Sequence, residues 1–277
     1  QLGKVFPPDL GIVGDAKVTT EMLLEEAQGM TSRRAPNAWS RKAADYRIRL
    51  RRKMDFDQVP IKPQRVFKDI NEFFDPNTLF VTAIGLYQIW SGQFQEIHKP
   101  KHYFCCGQAG PLGWEVPTCI GVKLGAPEKQ VVGIVGDYSI QFLLGDIATA
   151  VQYRIPYVLV MINNGYLSLI RQPEKYMYDM EFAVDIGYDD GYGPDFVKIM
   201  EGMKGLARRV TQPEEIKPAL DWAVKESNRQ NLPVLVEIRV DRQTDCAMGP
   251  AIDKVREFDP VIDLPEEVPA EAVAASR

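Results

Sequence analysis

Short apolar runs, rich in β-branched residues, recur along the chain and predict strands buried on both faces of a parallel sheet. These runs lie at residues 79–84, 103–105, 131–135, 157–162, 206–210 and 233–240. The stretches between them place apolar residues three and four positions apart, which predicts helices. The pattern therefore predicts an α/β fold, a doubly wound parallel sheet of about six strands flanked by helices.

Helical spacing is clearest between and around the strands. The predicted helices cover residues 17–28, 65–74, 140–153, 167–180 and 195–203, and a loop is predicted at 181–192. A further helix is predicted to begin at Thr211, which forms a Thr-x-x-Glu capping box with Glu214. Residues 10–14 look like the tail of a strand. Residues 31–57, rich in Arg and Lys, are predicted to form a surface helix that links two domains.

Two polar turns follow neighbouring predicted strands near the middle of the chain. Asp137 follows the strand at 131–135, and Asn164 follows the strand at 157–162. A right-handed β-α-β unit places both turns on one edge of the sheet, where open α/β sheets bind ligands. Mg²⁺ prefers oxygen ligands and commonly retains phosphate oxygens and water. The two side chains and a nearby backbone carbonyl therefore predict a metal-diphosphate site. The alternative is two ordinary turns without a ligand.

The same segments carry a resemblance to a known family. GDYSIQF, from Gly136, and NNGYLSLIRQ, from Asn163, resemble the signature of acetolactate-synthase-like thiamine-diphosphate enzymes, which is Gly-Asp-Gly, roughly two dozen residues and Asn-Asn. Tyr138 stands where the signature has its second glycine. An aromatic residue there, together with TAIGLYQIW at 82–90 and CGQAGPLGW at 106–114, resembles the glyoxylate carboligases, also called tartronate-semialdehyde synthases. The resemblance covers nearly the whole chain apart from its tail.

The resemblance implies a set of site residues. The side chain at Tyr87 is implied to touch the diphosphate, and Leu112 to be the bulky residue over which the cofactor folds into its V shape. Cofactor contacts are expected at Gly85, Leu86, Tyr87, Gly110, Leu112, Gly136, Asp137, Tyr138, Ser139, Asn164, Tyr166 and Leu167. Metal ligands are expected at Asp137, Asn164 and Tyr166, and the surroundings of the reacting carbon at Ile84, Leu112, Leu167 and Ile170. Taken singly, each of the last four is more simply explained by packing.

The resemblance also implies a reaction. A glyoxylate carboligase uses thiamine diphosphate to condense two glyoxylate molecules to tartronate semialdehyde, with release of carbon dioxide. The four apolar residues are consistent with decarboxylation, because a low-dielectric pocket disfavours a charged carboxylate. They leave no general acid or base in this half of the site. Two alternatives stay open: an acetolactate-synthase-like enzyme acting on pyruvate, and a non-catalytic subunit that retains the fold.

A domain organisation follows from the same resemblance. Residues 1–34 resemble the end of a middle domain, 35–60 a linker helix, 61–257 a thiamine-diphosphate- and Mg²⁺-binding carboxyl-terminal domain, and 258–277 an extended or disordered tail. The chain starts at Gln1. We expect it to be the carboxyl-terminal portion of a larger protein. The alternative is a complete small protein with an amino-terminal arm.

Partners and cofactors are implied as well. In the resembled enzymes the aminopyrimidine half of the cofactor binds the amino-terminal domain of a neighbouring subunit. We therefore expect three partners: such a pyrimidine-binding domain, from the same gene or another chain; a small 2-oxo acid substrate; and further copies in a homo-oligomer, a dimer or tetramer. Thiamine diphosphate and Mg²⁺ are the expected cofactors, and FAD is expected, if at all, in the complete enzyme.

Composition argues against several other classes. The 277 residues carry a net charge of −5 with no extended basic stripe, which argues against nucleic-acid binding. No apolar run approaches the ~20 residues that span a bilayer, so no membrane partner is expected. The four cysteines lack metal-ligand spacing and are expected to be reduced, in a cytoplasmic protein. Gly107, Gly110 and Gly113 lack the spacing of the dinucleotide fingerprint, so NAD binding is not expected.

Overall fold

A computed structural model describes residues 2–30 and 35–248, and the chain divides into two units, Gln1–Arg51 and Arg52–Arg277. The first unit contains α1 (Ala16–Met30) and α2 (Ala38–Arg49). Asp15 caps α1 by accepting the backbone N–H groups of Lys17 and Val18, each at 3.0 Å. Asn37 caps α2 through the N–H of Ser40. Both caps satisfy donors that a helix start leaves unpaired.

The second unit contains a six-stranded sheet in which every neighbouring pair is parallel. The strand order is β2-β1-β3-β4-β6-β5. The strands are β1 (Leu79–Thr82), β2 (Tyr103–Cys105), β3 (Val131–Gly136), β4 (Val158–Asn163), β5 (Leu206–Val210) and β6 (Val234–Arg239). The predicted doubly wound α/β fold is confirmed.

Helices of the second unit cover both faces of the sheet. They are α3 (Pro63–Phe73), α4 (Leu86–Phe94), α5 (Glu115–Gly125), α6 (Leu144–Gln152), α7 (Ser168–Met177), α8 (Phe196–Gly202) and α9 (Ile216–Gln230). Short 3₁₀ turns span Ser139–Leu143 and Pro213–Glu215. None of the helices within the described residues is both long and apolar enough to cross a bilayer.

Alternation along the central strands builds two apolar cores. In β3, Val132 and Ile134 pack with α3, α4 and α9, whereas Val131 and Val135 pack with α5, α6 and α8. All six positions of β3 and of β4 are buried. Complete burial of one such aliphatic side chain contributes about 1.5–3 kcal/mol, so these continuous apolar strands hold the helices on both faces.

The order of the strands creates a crevice. The chain runs from β1 outward to β2, then returns across β1 to β3 and continues in the opposite direction. At such a topological switch point, the connections leaving the carboxyl ends of two neighbouring strands diverge to opposite faces. Open α/β sheets bind ligands in the crevice that results. The carboxyl ends of β1 and β3 are therefore the expected place for a site.

Several local predictions differ from the structure. Residues 10–14 form no strand within the described residues, since no ladder partner pairs with them. The predicted helix at 140–153 begins instead with the 3₁₀ turn, and α2 covers only part of 31–57. The capping box is built by Gln212 and Glu215, one residue later than predicted, because Pro213 takes the first helical position. The predicted tail at 258–277 lies outside the described residues.

Candidate functional site

A pocket of about 330 Å³ opens at the carboxyl ends of β1, β3 and β4. Every residue that the sequence singled out for a cofactor, a metal or the reacting carbon lines it. These residues are Ile84, Gly85, Leu86, Tyr87, Gly110, Leu112, Gly136, Asp137, Tyr138, Ser139, Asn164, Tyr166, Leu167 and Ile170. Trp90, Ile162, Ser168 and Leu169 also line the pocket and were not predicted. The structure thus brings the predicted set together, while the role of each residue stays a prediction.

Asp137 is the buried carboxylate of this pocket. It follows β3 directly, and its Oδ2 accepts the backbone N–H of Gly165 at 3.0 Å. Burial raises the pKa of Asp137 to about 7, although backbone hydrogen bonds from Gly165 and Tyr138 act in the opposite direction. The carboxylate therefore lies where a positive charge would favour its ionised form.

The amide turn after β4 faces this carboxylate. The Asn164 side chain donates through Nδ2 to Ser168 Oγ at 2.6 Å, while its Oδ1 lies 3.4 Å from the N–H of Tyr166. Gly165 has φ +65°, and a Cβ there would lie 1.9 Å from the Gly191 carbonyl oxygen. Only glycine fits this position. The turn is thus held in a single tight conformation next to Asp137.

Tyr166 follows in the same turn, and the guanidinium groups of two arginines contact its ring. The guanidinium groups of Arg171 and Arg242 lie 4.7 Å and 4.3 Å from its ring centroid. Arg242 also donates to the carbonyls of Asn164 and Gly165, at 3.3 Å and 3.4 Å. These contacts stabilise the conformation of the turn. The Tyr166 carbonyl, which would bind a metal, belongs to this turn.

These groups fit a hard cation. Asp137 offers a charged oxygen, and the Asn164 side chain and the Tyr166 backbone offer neutral oxygens, the donor type that Mg²⁺ prefers. Within residues 2–30 and 35–248 no cluster of three His, Cys, Asp or Glu side chains is suited to a metal. A cation at this edge would therefore depend on one carboxylate and needs further oxygens, such as those of a diphosphate and water.

Two glycine turns, at Gly85 and Gly136, also line the pocket. Gly85 has φ +152° and is the N-cap of α4, whose first residues, Leu86 and Tyr87, line the pocket. A Cβ on Gly85 or Gly136 would come within 2.4 Å or 2.6 Å of the Tyr87 ring. Glycine lets the backbone of both turns approach closely, and unpaired N–H groups at a helix start favour an anion. Tyr87 itself is buried, and its hydroxyl donates to Glu115 Oε1 at 3.2 Å.

The rest of the pocket is apolar. Ile84, Leu112, Leu167 and Ile170 line it together with Trp90. Ile170 is 56% exposed, so this side of the pocket is open in the chain as described. A pocket with an oxygen-rich end and an apolar end suits a ligand with a charged group and a heteroaromatic body.

Sequence reasoning missed several residues that support the site. Arg171 is fully buried and pairs with Glu181 at 3.0 Å and with Asp245 at 3.5 Å. Glu115 is also fully buried, and burial raises its pKa to about 7, while Ser139 and Tyr87 lower it. The signal available for Glu115 was a charged residue inside the apolar pattern that follows CGQAGPLGW.

A second buried polar link supports the amide turn. Asn163 Oδ1 accepts the N–H of Gly165 at 3.2 Å, and its Nδ2 donates to Glu237 Oε1 at 2.9 Å. Glu237 Oε2 in turn accepts from Arg209 Nε at 2.8 Å. No local pattern marks this link, because its members come from three different strands.

Comparison with known proteins identifies the family. Residues 83–238 match the family described as "Thiamine pyrophosphate enzyme, C-terminal TPP binding domain". The chain belongs to this family. The chain is 41% identical to the glyoxylate carboligase of Escherichia coli O157:H7, over 98% of the chain and 47% of that protein. The resemblance found in the sequence is confirmed.

Other relatives of the chain are more distant. It is 30% identical to the acetolactate synthase large subunit of Corynebacterium glutamicum, over 87% of the chain and 38% of that protein. A solved structure, the thiamine diphosphate-dependent 4-hydroxybenzoylformate decarboxylase of Rhodococcus jostii, has a TM-score of 0.58 at 23% identity. That match covers 66% of this chain and 33% of the decarboxylase, and it supports the fold. The chain spans about half the length, or less, of the relatives it matches.

Proposed function

We propose that this chain supplies the diphosphate- and Mg²⁺-binding half of the active site of a thiamine-diphosphate-dependent carboligase. The proposed reaction condenses two glyoxylate molecules to tartronate semialdehyde and carbon dioxide. The observation that carries the proposal is the 41% identity to glyoxylate carboligase over 98% of the chain. The pocket supports it, because a polar end and an apolar end lie in one cavity.

The polar end would hold the charged part of the cofactor. Asp137, Asn164 and the Tyr166 carbonyl would bind Mg²⁺, and the turns at Gly85 and Gly136 would direct N–H groups to the diphosphate. Asp137 is buried and is held by the backbone N–H of Gly165. When bound, thiamine diphosphate supplies the carbanion and the electron sink.

The apolar end would control polarity around the reacting atoms. Ile84, Leu112, Leu167 and Ile170 line this end and would exclude water there, and Leu112 would contact the cofactor. A low-dielectric environment destabilises the substrate carboxylate more than it destabilises a transition state with dispersed charge, which favours loss of carbon dioxide. The side chains at this end bring no acid or base to the substrate.

The proposal also concerns the protein parts and partners that would complete the active site. Since the chain spans 47% of the length of its Escherichia coli relative, we infer that an amino-terminal pyrimidine-binding domain completes the site, from the same gene or another chain. We further propose a cytoplasmic homo-oligomer, a dimer or a tetramer. Any FAD would bind in the complete enzyme.

A second candidate is an acetolactate-synthase-like enzyme that acts on pyruvate. The 30% identity to the acetolactate synthase large subunit of Corynebacterium glutamicum favours it. The two candidates share the cofactor and the metal, and differ in the substrate alone.

The first experiment is a calorimetric titration of thiamine diphosphate into the purified chain, with Mg²⁺ and then with EDTA. Binding that requires Mg²⁺ is the expected result. A separately produced amino-terminal half is then added, and carbon dioxide release is measured with glyoxylate and with pyruvate. Preference for glyoxylate supports the first candidate and preference for pyruvate the second. Absence of binding in both arrangements overturns the cofactor assignment.

A further inference from the structure

A carboxyl group lies behind the pocket and has no part in the function proposed above. Glu115 is the first residue of α5 and is fully buried. Its Oε1 accepts the Tyr87 hydroxyl at 3.2 Å, and its Oε2 has no hydrogen-bond partner among the described residues. A buried carboxyl group costs free energy unless hydrogen bonds compensate for its lost hydration. Its contacts should therefore show what it stabilises.

The hydrogen bond with Tyr87 connects Glu115 to two turns of the pocket. The Tyr87 ring lies against Gly85, in the turn after β1, and against Gly136, at the end of β3. A Cβ at either glycine would approach the ring within 2.4 Å or 2.6 Å, so the ring fills the space between these turns. Glu115 holds the hydroxyl at the far end of the ring. It thereby limits how far the ring can move away from either turn.

A hydrogen bond between Ser139 and Gly113 connects the turn after β2 to the turn after β3. Ser139, one position after Tyr138, accepts the backbone N–H of Gly113 at 2.8 Å. Glu115 lies two residues after Gly113, as the first residue of α5. Gly113 has φ +82° and belongs to the glycine-rich turn that contributes Gly110 and Leu112 to the pocket. The turn after β2, which leads directly into Glu115, is thus bonded to the turn after β3.

We propose that Glu115 is a positioning residue that joins the turn after β2 to the turns after β1 and β3 through Tyr87, and so shapes the anion-binding end of the pocket. Hydrogen-bonded outer residues commonly fix the groups that contact a ligand or metal, and their loss costs roughly ten- to a hundredfold in affinity. The effect on a diphosphate rests on the proposed function. The effect on the turns does not.

Hydrogen–deuterium exchange of the unliganded chain tests the positioning role directly. Glu115→Ala should accelerate exchange of the amides at 84–87, 110–114 and 136–140, with a smaller effect in Glu115→Gln, whose amide oxygen can still accept from Tyr87. Tyr87→Phe, which removes one hydroxyl, should accelerate exchange at the first and third segments. Asp69→Asn is the matched control, because Asp69 is also a buried carboxyl group but lies in α3 outside the pocket.

Calorimetry with inorganic pyrophosphate and Mg²⁺ tests the consequence for binding. We expect about tenfold weaker binding in Glu115→Ala, partial rescue in Glu115→Gln and no change in Asp69→Asn. The effects of Glu115→Ala and Tyr87→Phe should be less than additive, because each of them removes the same hydrogen bond.

The outcomes separate the two proposals. Unchanged exchange in Glu115→Ala, or exchange that rises equally throughout the sheet, overturns the positioning role. If exchange changes in the three turns but the unaltered chain binds no pyrophosphate, the positioning role holds and the proposed cofactor site fails. If the unaltered chain binds pyrophosphate and Glu115→Ala binds it equally well, Glu115 does not shape the anion-binding end.

Discussion

Asp137 and Gly165 are joined by a 3.0 Å hydrogen bond from the glycine N–H to the carboxylate, and this bond ties the end of β3 to the turn after β4. The register explains it, because Gly136 lies opposite Ile162 in the parallel ladder and the two strands end side by side. The same carboxylate therefore serves as a link between two turns and as the charged oxygen of the candidate cation site. Several consequences can be measured.

Replacing Asp137 should separate these two roles. Asp137→Asn keeps an oxygen for the Gly165 N–H but removes the charge, whereas Asp137→Ala removes both. We expect both variants to lose Mg²⁺-dependent binding of thiamine diphosphate in calorimetry, and only the alanine variant to lower the melting temperature appreciably. Asp146→Ala, in α6 outside the pocket, is the control. Binding that survives in Asp137→Asn would show that Mg²⁺ does not depend on this carboxylate.

The buried carboxyl groups should make stability depend on pH. Burial raises the pKa of Asp137 to about 7, far above the roughly 3.9 of an unfolded aspartate, so the folded chain prefers the protonated form. The stabilisation from protonation is complete below the unfolded pKa and is lost as the pH rises through about 7. Without Mg²⁺, the free energy of unfolding in urea should therefore fall between pH 5 and pH 8.

Mg²⁺ and Asp137→Asn should each weaken this pH dependence. The cation stabilises the ionised carboxylate, and the amide does not titrate. Glu115 contributes to the same pH dependence of the free energy of unfolding, since burial also raises its pKa to about 7. Glu115→Gln should remove this contribution. Parallel curves for Asp137→Asn and the unaltered chain would contradict the assignment of the titration to Asp137.

Gly136 should not tolerate a side chain. A Cβ at this position would lie 2.6 Å from the Tyr87 ring, which is confined between two turns and bonded to Glu115. We expect Gly136→Ala to destabilise the chain by about 1–3 kcal/mol, measured by urea denaturation. Gly121→Ala, in the interior of α5 with nothing within 4 Å of the added Cβ, should instead stabilise by about 0.5–1 kcal/mol. Equal effects of the two substitutions would exclude a steric role for the Tyr87 ring.

Replacing Leu112 should affect ligand binding at the apolar end of the pocket and leave binding at the polar end unchanged. Loss of apolar contact in Leu112→Ala should weaken thiamine diphosphate binding by about 1–2 kcal/mol, roughly five- to thirtyfold. Binding of inorganic pyrophosphate with Mg²⁺ should be unchanged, because pyrophosphate has no part that reaches this residue. Leu124→Ala, an exposed position of α5, is the control. Weakened pyrophosphate binding would indicate a general distortion of the pocket.

Much of the architecture was readable from local patterns. The buried strands β3 and β4 are continuous apolar runs, and the turns after them carry Asp137 and Asn164, so their place at one sheet edge followed from the handedness of the β-α-β unit. Helix starts were less certain. At the turn before α9 the capping residue shifted from Thr211 to Gln212, because Pro213 determined which residue entered the helix first.

Supporting residues were harder to foresee. Arg171 lies in the amphipathic helix α7, yet it is fully buried. Its ion pair with Asp245, a residue far along the chain, compensates for the lost hydration. Glu115 interrupts an apolar pattern without any local sign of its partner, since Tyr87 precedes it by 28 residues. Side chains of this kind acquire their surroundings from segments that no short window contains.

The sequence by itself determined the parallel α/β fold, the family and most of the residues that line the pocket. Periodicity, turn chemistry and motif spacing are local properties, and strand order then brings the ends of β1, β3 and β4 together. Only the tertiary structure decided that Tyr87 fills the space between two glycine turns, that Glu115 holds its hydroxyl, and that Arg171 and Arg242 clamp Tyr166. These contacts join residues distant in sequence, and the burial and hydrogen bonding that define them exist only once the chain has folded.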